Sequence, residues 1–414
     1  MMADIKRKVP NLRFKGFTDD WEQRKLYEVA DYRNGKAHEQ HIYIHGNYIV
    51  VNSKFVSTSG KAKKYSDKLI EPLMKNEIAF VLSDVPNGKA LARTFLVKRS
   101  QKYTLNQRVA GITPHPNMNS YFLFILMNRN PYFLKFDDGV GQTNLSKKDV
   151  EQFNENYPTK REQQKIGEIF VKLDSLLTLQ QRKLDLLKQL KKGLLQKMFA
   201  AEKNSKQPVL RFKGFHDDWE QRKFSEILAK SDGLRRGPFG SALKKEFFIS
   251  SSEYTVYEQN NAIYNTWKTR YFITPEKFQE LHKFQLVPGD FILSGAGTIG
   301  RIAQVPANII KGVFNQALIR IRINPEWMDK NFFLIWMQSE NMQRKLTQAN
   351  PGSAMTNLVP MSEIKKWEII IPSKAEQNKI GEFIQKLNSL INLQQRKQNH
   401  LKLLKKSLLQ QMFM

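Results

Sequence analysis

Cysteine is absent from the 414 residues, which excludes a disulfide framework, thiolate metal sites and a cysteine nucleophile. No run of about 18 apolar residues occurs, so no membrane span is expected. The opening stretch MMADIKRKVP lacks the apolar segment of a secretory signal, and a cytoplasmic location is the expectation. Acid is scarce: 39 Asp and Glu stand against 67 Lys and Arg, a formal net charge of +28. A compact chain with that excess repels itself unless it meets a polyanion, and nucleic acid is the commonest one. A generally basic surface, or ribosome or membrane association, is the competing explanation.

Signs of catalysis are missing as well. There is no P-loop and no Ser/His/Asp arrangement. Gly295-Ala296-Gly297-Thr298-Ile299-Gly300 spells GxGxxG after an expected strand. The residues that follow, RIAQV, are strand-like and end at Pro306, so no helix offers its N-terminus to a pyrophosphate. A turn between two strands is expected there. His38, Glu39, His41 and His45 do not have HExxH spacing and lie in a strand-like context, so they read as polar surface and turn residues. Asn130-Pro131-Tyr132-Phe133 approaches the Asn/Asp-Pro-Pro-aromatic tetrad of adenine methyltransferases but lacks the second proline, and it sits where Asn-Pro normally ends a helix.

What is there is duplication. PNLRFKGFTDDWEQRK at residues 10–25 returns as PVLRFKGFHDDWEQRK at 208–223. A proline-free stretch from Glu162 to Phe199 returns from Glu376 to Phe413 without a gap. Its apolar residues recur at steps of three and four: Ile166, Phe170, Leu173, Leu177, Leu184, Leu187, Leu194 and Met198, then Ile380, Ile384, Leu387, Ile391, Leu401, Leu408 and Met412. This is a coiled-coil stripe. Neither helix can bury its stripe alone, so each is the simplest partner of the other. The seam is expected to include Gln180, Leu184 and Leu187 in one copy and Gln394, Leu401 and Leu408 in the other, with the glutamines as a polar step that fixes register. Leu176, Leu186, Leu190 and Leu195 lie off that stripe and either dock further subunits or widen the core between the helices.

The domain expectation follows. Residues 1–25 are a frame motif, 26–160 a first insert, 161–199 the first long helix, 200–223 a polar linker with the repeated motif, 224–374 a second insert and 375–414 the second long helix. Phe14, Phe17 and Trp21 of the motif are expected to pack against a helix end; the alternative is nucleic-acid contact through Arg13 and Lys15, or Arg211 and Lys213. In the first insert, 42–51, 77–84, 90–97 and 108–114 read as strands, 118–129 as a helix, and Ser146 as the cap of another. In the second, 290–295, 301–305 and 317–323 read as strands, 329–339 as a helix, and Ser362 as a cap. Both inserts are α+β domains of one plan, and two near-identical frames suggest a pseudo-two-fold molecule.

Recognition chemistry remains. Basic and amide-bearing turns recur in the same order in both inserts. The first offers Arg33, Asn34 and Lys36, then Lys61, Lys63 and Lys64, then Gln142, Thr143 and Asn144. The second offers Arg235, Arg236 and Ser241, then Lys268 and Arg270, then Ser353, Thr356 and Asn357, with Arg301 after the glycine-rich turn. Arg and Lys pair with phosphates or guanine, and Asn and Gln with adenine.

The duplicated RFKGFxDDWEQRK motif, the divergent inserts and the duplicated EQxKIGE…LQQRK…LLQxMF helix resemble the specificity subunit of type I restriction–modification systems. The turns at Gly237–Ser241 and Gly295–Arg301 are similar to those of the family's target recognition domains, and they are clear only in the second insert. The resemblance implies an α+β chain with two α/β target recognition domains, each reading one half of a split, asymmetric double-stranded DNA sequence. It implies that the long helices pack antiparallel and set the spacer between half-sites. It implies no cofactor on this chain: two methylation subunits would carry S-adenosylmethionine, and restriction subunits would carry ATP- and Mg-dependent translocation and the nuclease. A stand-alone bivalent DNA-binding protein, such as a repressor or architectural factor, is the alternative. An enzyme with an unrecognised nuclease or methyltransferase site is a third.

Overall fold

The computed structural model describes residues 9–199, 207–347 and 360–413. It comprises two units, Met1–Gln181 with Lys397–Met414, and Arg182–Arg396. In the first unit the strands are β1 (Glu22–Lys25), β2 (Ala30–Asn34), β3 (Tyr48–Val51), β4 (Tyr65–Ser66), β5 (Ile78–Val81), β6 (Ser83–Asp84), β7 (Thr94–Leu96), β8 (Tyr103–Leu105), β9 (Val109–Pro114), β10 (Thr143–Asn144) and β11 (Asn154–Tyr157). A four-stranded sheet has the order β2-β9-β5-β7 and a three-stranded sheet the order β4-β3-β8. β3 and β8 run parallel. The continuous apolar run of β5 is buried at every position, as a strand covered on both faces requires.

The second unit repeats this plan with β12 (Glu220–Lys223), β13 (Leu234–Arg236), β14 (Tyr254–Tyr257), β15 (Phe272–Ile273), β16 (Phe291–Ser294), β17 (Ile302–Gln304), β18 (Gly312–Phe314), β19 (Leu318–Ile321) and β20 (Glu368–Ile371). The sheets are β13-β19-β16-β17 and β15-β14-β18, and β14 and β18 are again parallel. Divergent sequence therefore carries one topology.

The duplicated frame closes the base of each insert. The EQRK of the motif forms β1, antiparallel to β11, and in the second copy β12, antiparallel to β20. Each insert thus begins and ends at neighbouring strands. Arg13 donates Nε and Nη2 to the two carboxylate oxygens of Glu162, at 2.7 and 2.8 Å. Arg211 does the same to Glu376, at 2.8 and 2.8 Å. Both carboxylates are fully buried, and the carboxylate partner holds each guanidinium above its ordinary pKa. The motif arginines are therefore committed to structure, and Trp21 and Trp219 are buried in the cores of their units.

The long helices run Lys160–Phe199 and Lys374–Met412. Within the first unit Phe170 meets Phe413, Lys405 pairs with Asp174, and Gln398 donates to Gln181. Residue numbers rise on one helix as they fall on the other, so the pairing is antiparallel. Leu184 and Gln394 are buried, while Gln180, Leu187, Leu401 and Leu408 are half-buried. Gln398, not anticipated on the stripe, is also buried. Leu195 packs on the second unit's core, whereas Leu176, Leu186 and Leu190 are exposed.

Gln163 accepts from the Asn119 main-chain N–H at 2.8 Å and donates to Pro158 O at 2.8 Å. Gln377 repeats this with Asp329 N and Pro372 O, both at 2.9 Å. The Glu-Gln pair that opens each long helix therefore holds the frame motif with one side chain and the insert's own helix with the other.

The helices Ser120–Met127 and Lys330–Met337 lie where the sequence places them, and Ser146 caps Lys147–Glu151 in a reciprocal pair with Asp149. Ser362 does not cap: the helix Met361–Lys366 starts two residues earlier than expected, with Pro360 at the N-cap. Of 42–51 only Tyr48–Val51 is strand. Short helices at Ser53–Ser57 and Gln259–Tyr264 hold too few residues to show a period in sequence.

Candidate nucleic-acid interface

The glycine-rich stretch Gly295–Gly300 is a turn between β16 and β17, which removes any reason to place a nucleotide there. Asn130 caps the helix Pro131–Leu134 and also binds Glu155, and Phe133 is fully buried. The NPYF segment is thus spent on packing. His38 departs from the expectation of a surface residue. It is buried, with Nδ1 2.7 Å from Lys36 O and Nε2 2.7 Å from Thr104 Oγ1, and burial lowers its pKa. Among the described residues no group of three His, Cys, Asp or Glu is placed to hold a metal.

The expected recognition residues fall into distinct settings. In the first insert Arg33 donates to Glu77 at 2.8 Å, to Pro72 O at 2.7 Å and to Glu71. Lys36 reaches the other Glu71 oxygen at 2.9 Å. Arg33 is therefore held by carboxylates, while Asn34 and Lys36 remain at the surface. Burial pushes the Tyr32 hydroxyl up to about 12, so it stays a donor and binds Asn34 Oδ1 at 2.6 Å. Lys61, Lys63 and Lys64 are exposed on the loop that leads into β4. Gln142 donates to Ser83 Oγ at 2.9 Å and Asn144 Oδ1 at 3.2 Å, across the β6–β10 pair. Thr143 faces inward, 7% exposed, so its side chain is not offered to a ligand.

In the second insert Arg235 pairs with Asp232, and Arg270 with Glu258 at 2.9 Å while lying over the Tyr271 ring. The turn Gly237–Ser241 and the Arg270 loop come together around a cavity of about 300 Å³, lined among others by Pro238, Gly240, Glu258, Arg270 and Gln316. Ser241, Arg236, Lys268 and Arg301 are exposed. Ser353, Thr356 and Asn357 lie outside the described residues.

Sequence reasoning missed Phe239, whose ring is 88% exposed at the tip of the Gly237–Ser241 turn, and it missed Asn315 and Gln316 in the same cavity. The Gly237-Pro238-Phe239-Gly240 run was legible as a turn, but the exposure of its aromatic was not.

The two inserts fill the same position beside the arginine of β2 and of β13 differently. Arg33 lies opposite Gly111, and Arg235 opposite Arg320. A β-carbon at Gly111 would lie 2.9 Å from Glu77 Oε1. In the second insert Arg320 fills that position, 1% exposed, and pairs with Asp232. The same backbone thus carries different ionic networks.

A family model described as the type I restriction modification DNA specificity domain matches residues 18–189 and again 216–403. The type I restriction enzyme MjaVIII specificity subunit of Methanocaldococcus jannaschii is 21% identical over 413 residues, covering 94% of this chain and 91% of that protein. The crystal structure of a type I restriction–modification S subunit from M. genitalium is similar at a TM-score of 0.61 and 13% identity, over 98% of this chain and 99% of that one. A chain from a structure concerned with complex assembly and conformational transition of a type I R-M system gives a TM-score of 0.56 at 14% identity, over 95% and 97%. The twofold match of the family model, to most of each half, shows that this chain belongs to the type I restriction–modification DNA specificity family.

Proposed function

We propose that this non-catalytic specificity subunit reads a bipartite, asymmetric double-stranded DNA target. Residues 26–160 recognise one half, residues 224–374 the other, and the paired helices set the unspecified spacer. Two methylation subunits carrying S-adenosylmethionine use it to place adenine N6 methylation, and ATP-dependent restriction subunits join the same assembly in the cytoplasm. One observation carries this reading: two heads of one topology enter and leave through adjacent strands of a duplicated, identically clamped frame. Such a frame fixes where a head sits and leaves its surface to vary. Two half-sites presented to one duplex need a fixed separation, which a pair of continuous helices supplies.

The surface candidates that fit contact with bases or phosphates are Asn34, Lys36, Lys61, Lys63, Lys64, Gln142, Asn144, Arg236, Ser241, Lys268, Arg270 and Arg301. Arg33 and Arg235 act mainly by holding the turns that carry them. The test is genome-wide mapping of N6-methyladenine in cells with and without the chain. One bipartite motif should disappear when the chain is removed. An unchanged methylation map, or methylation of DNA by the chain alone with S-adenosylmethionine, would overturn the proposal. Nothing in the geometry favours a stand-alone repressor over this reading.

A further inference from the structure

One turn is built alike in both heads. It joins the last strand of the three-stranded sheet to the four-stranded sheet: Asn106-Gln107 between β8 and β9, and Asn315-Gln316 between β18 and β19. Its main chain is pinned the same way twice. Asn106 N donates to Val51 O at 3.1 Å and Asn315 N to Tyr257 O at 3.0 Å, at the ends of β3 and β14. Asn106 O accepts from Val109 N at 3.0 Å, and Asn315 O from Leu318 N at 3.1 Å. A glycine closes over each: a β-carbon at Gly35 would lie 2.1 Å from Asn106 O, and one at Gly237 would lie 2.0 Å from Asn315 O. The asparagine thus serves the fold, and only glycine fits against it.

The glutamine that follows is exposed in both heads. Its chemical surroundings differ. Gln107 Nε2 donates to Glu39 Oε1 at 3.1 Å, a bond that uses one of the amide's two hydrogens. Gln316 lines the cavity beside Gly240 and Arg270, and its main-chain oxygen accepts from Arg236 Nε at 3.4 Å. An exposed primary amide carried on a pinned main chain beside the basic turns of each head has the donor–acceptor pair that matches the N7 and N6 edge of adenine in a major groove. Its changed neighbours would let each head read a different sequence around it.

We infer that Gln107 and Gln316 are equivalent base-reading side chains, one per head, each taking an adenine edge within its own half-site. The inference rests on the bipartite-target reading above and deepens it. The test uses the full chain, assembled with its methylation subunit in the host cell, and maps N6-methyladenine for the wild type, Gln107→Ala, Gln316→Ala and Gln316→Glu. Each alanine variant should relax discrimination at one base pair of one half-site by about 10-fold or more and leave the other half-site intact. Gln316→Glu should move the preference at that base pair toward cytosine, whose N4 amine a carboxylate accepts. An unchanged motif in both alanine variants overturns the inference, as does a uniform loss of methylation at every site with the motif preserved. If the wild type marks a bipartite motif and the variants leave it intact, only this inference fails. If the wild type marks none, the functional reading fails with it.

Discussion

Arg211 shows how one residue can be misread in a basic chain. By composition it is one of many cations available to a phosphate. In the fold its guanidinium is spent on Glu376, whose side chain has no solvent exposure. Removing one partner of such a pair strands the other, so Glu376→Ala should lower stability by about 3–5 kcal/mol, while Arg211→Met with Glu376→Leu should cost much less. Denaturant midpoints of the three chains check this, and equal losses would overturn it. His38 supplies a pH test. Burial holds its pKa below the ordinary 6.5, and the Lys36 carbonyl and nearby Glu39 and Glu71 only partly oppose that. The unfolded chain therefore binds more protons as pH falls below about 6.5, and stability falls with it. Thermal unfolding between about pH 7.5 and 5 should show this loss in the wild type and a shallower slope in His38→Asn. Identical slopes would rule out His38 as the source. Neither burial was legible, because exposure is a property of what packs around a side chain and not of its type.

At the scale of elements the long helices were readable and their glycines were not. The three–four stripe identified both helices and most buried positions, since a period of 3.6 sorts residues by face before any partner is known. Gly167, Gly193 and Gly381 look alike in sequence but differ in space. A β-carbon at Gly381 would lie 2.9 Å from Asp329 Oδ1 and Asn331 Cβ and 3.0 Å from Phe332 N, where the insert helix Lys330–Met337 starts. Gly193 has nothing within 4 Å. Gly193→Ala should stabilise by up to about 1 kcal/mol through helix propensity, whereas Gly381→Ala should destabilise by about 1–3 kcal/mol from crowding. Gly167, 3.0 Å from the Asn119 side-chain oxygen, should fall between them. Paired melting curves decide it, and a stabilising Gly381→Ala would remove the argument that this glycine seats the insert. The short helices and the start of Met361–Lys366 went unread or misplaced for a local reason: they hold fewer residues than two turns need to declare a period.

For the whole molecule, the net charge of +28 predicts binding that weakens steeply with salt. A complex with six to ten phosphate contacts loses about 10³–10⁵ in affinity between 50 and 200 mM salt, and a salt titration of DNA binding should give a log–log slope of about −5 to −9. A slope near zero would discount phosphate contacts. Replacing residues 224–374 by another family member's insert should change one half-site and leave the other, because the insert enters and leaves the frame through the neighbouring strands β12 and β20. A change in both halves would contradict the division into two heads. The sequence by itself determined the duplication, the long helices, the basic character and the family, because repeats, periodicity and charge are properties of residue order. Only the tertiary structure decided which cations are committed to carboxylates, which turns meet around a common cavity, and the strand order and parallel pairing that the two inserts share. Those outcomes depend on contacts between residues far apart in the chain, where many different sequences satisfy the same packing.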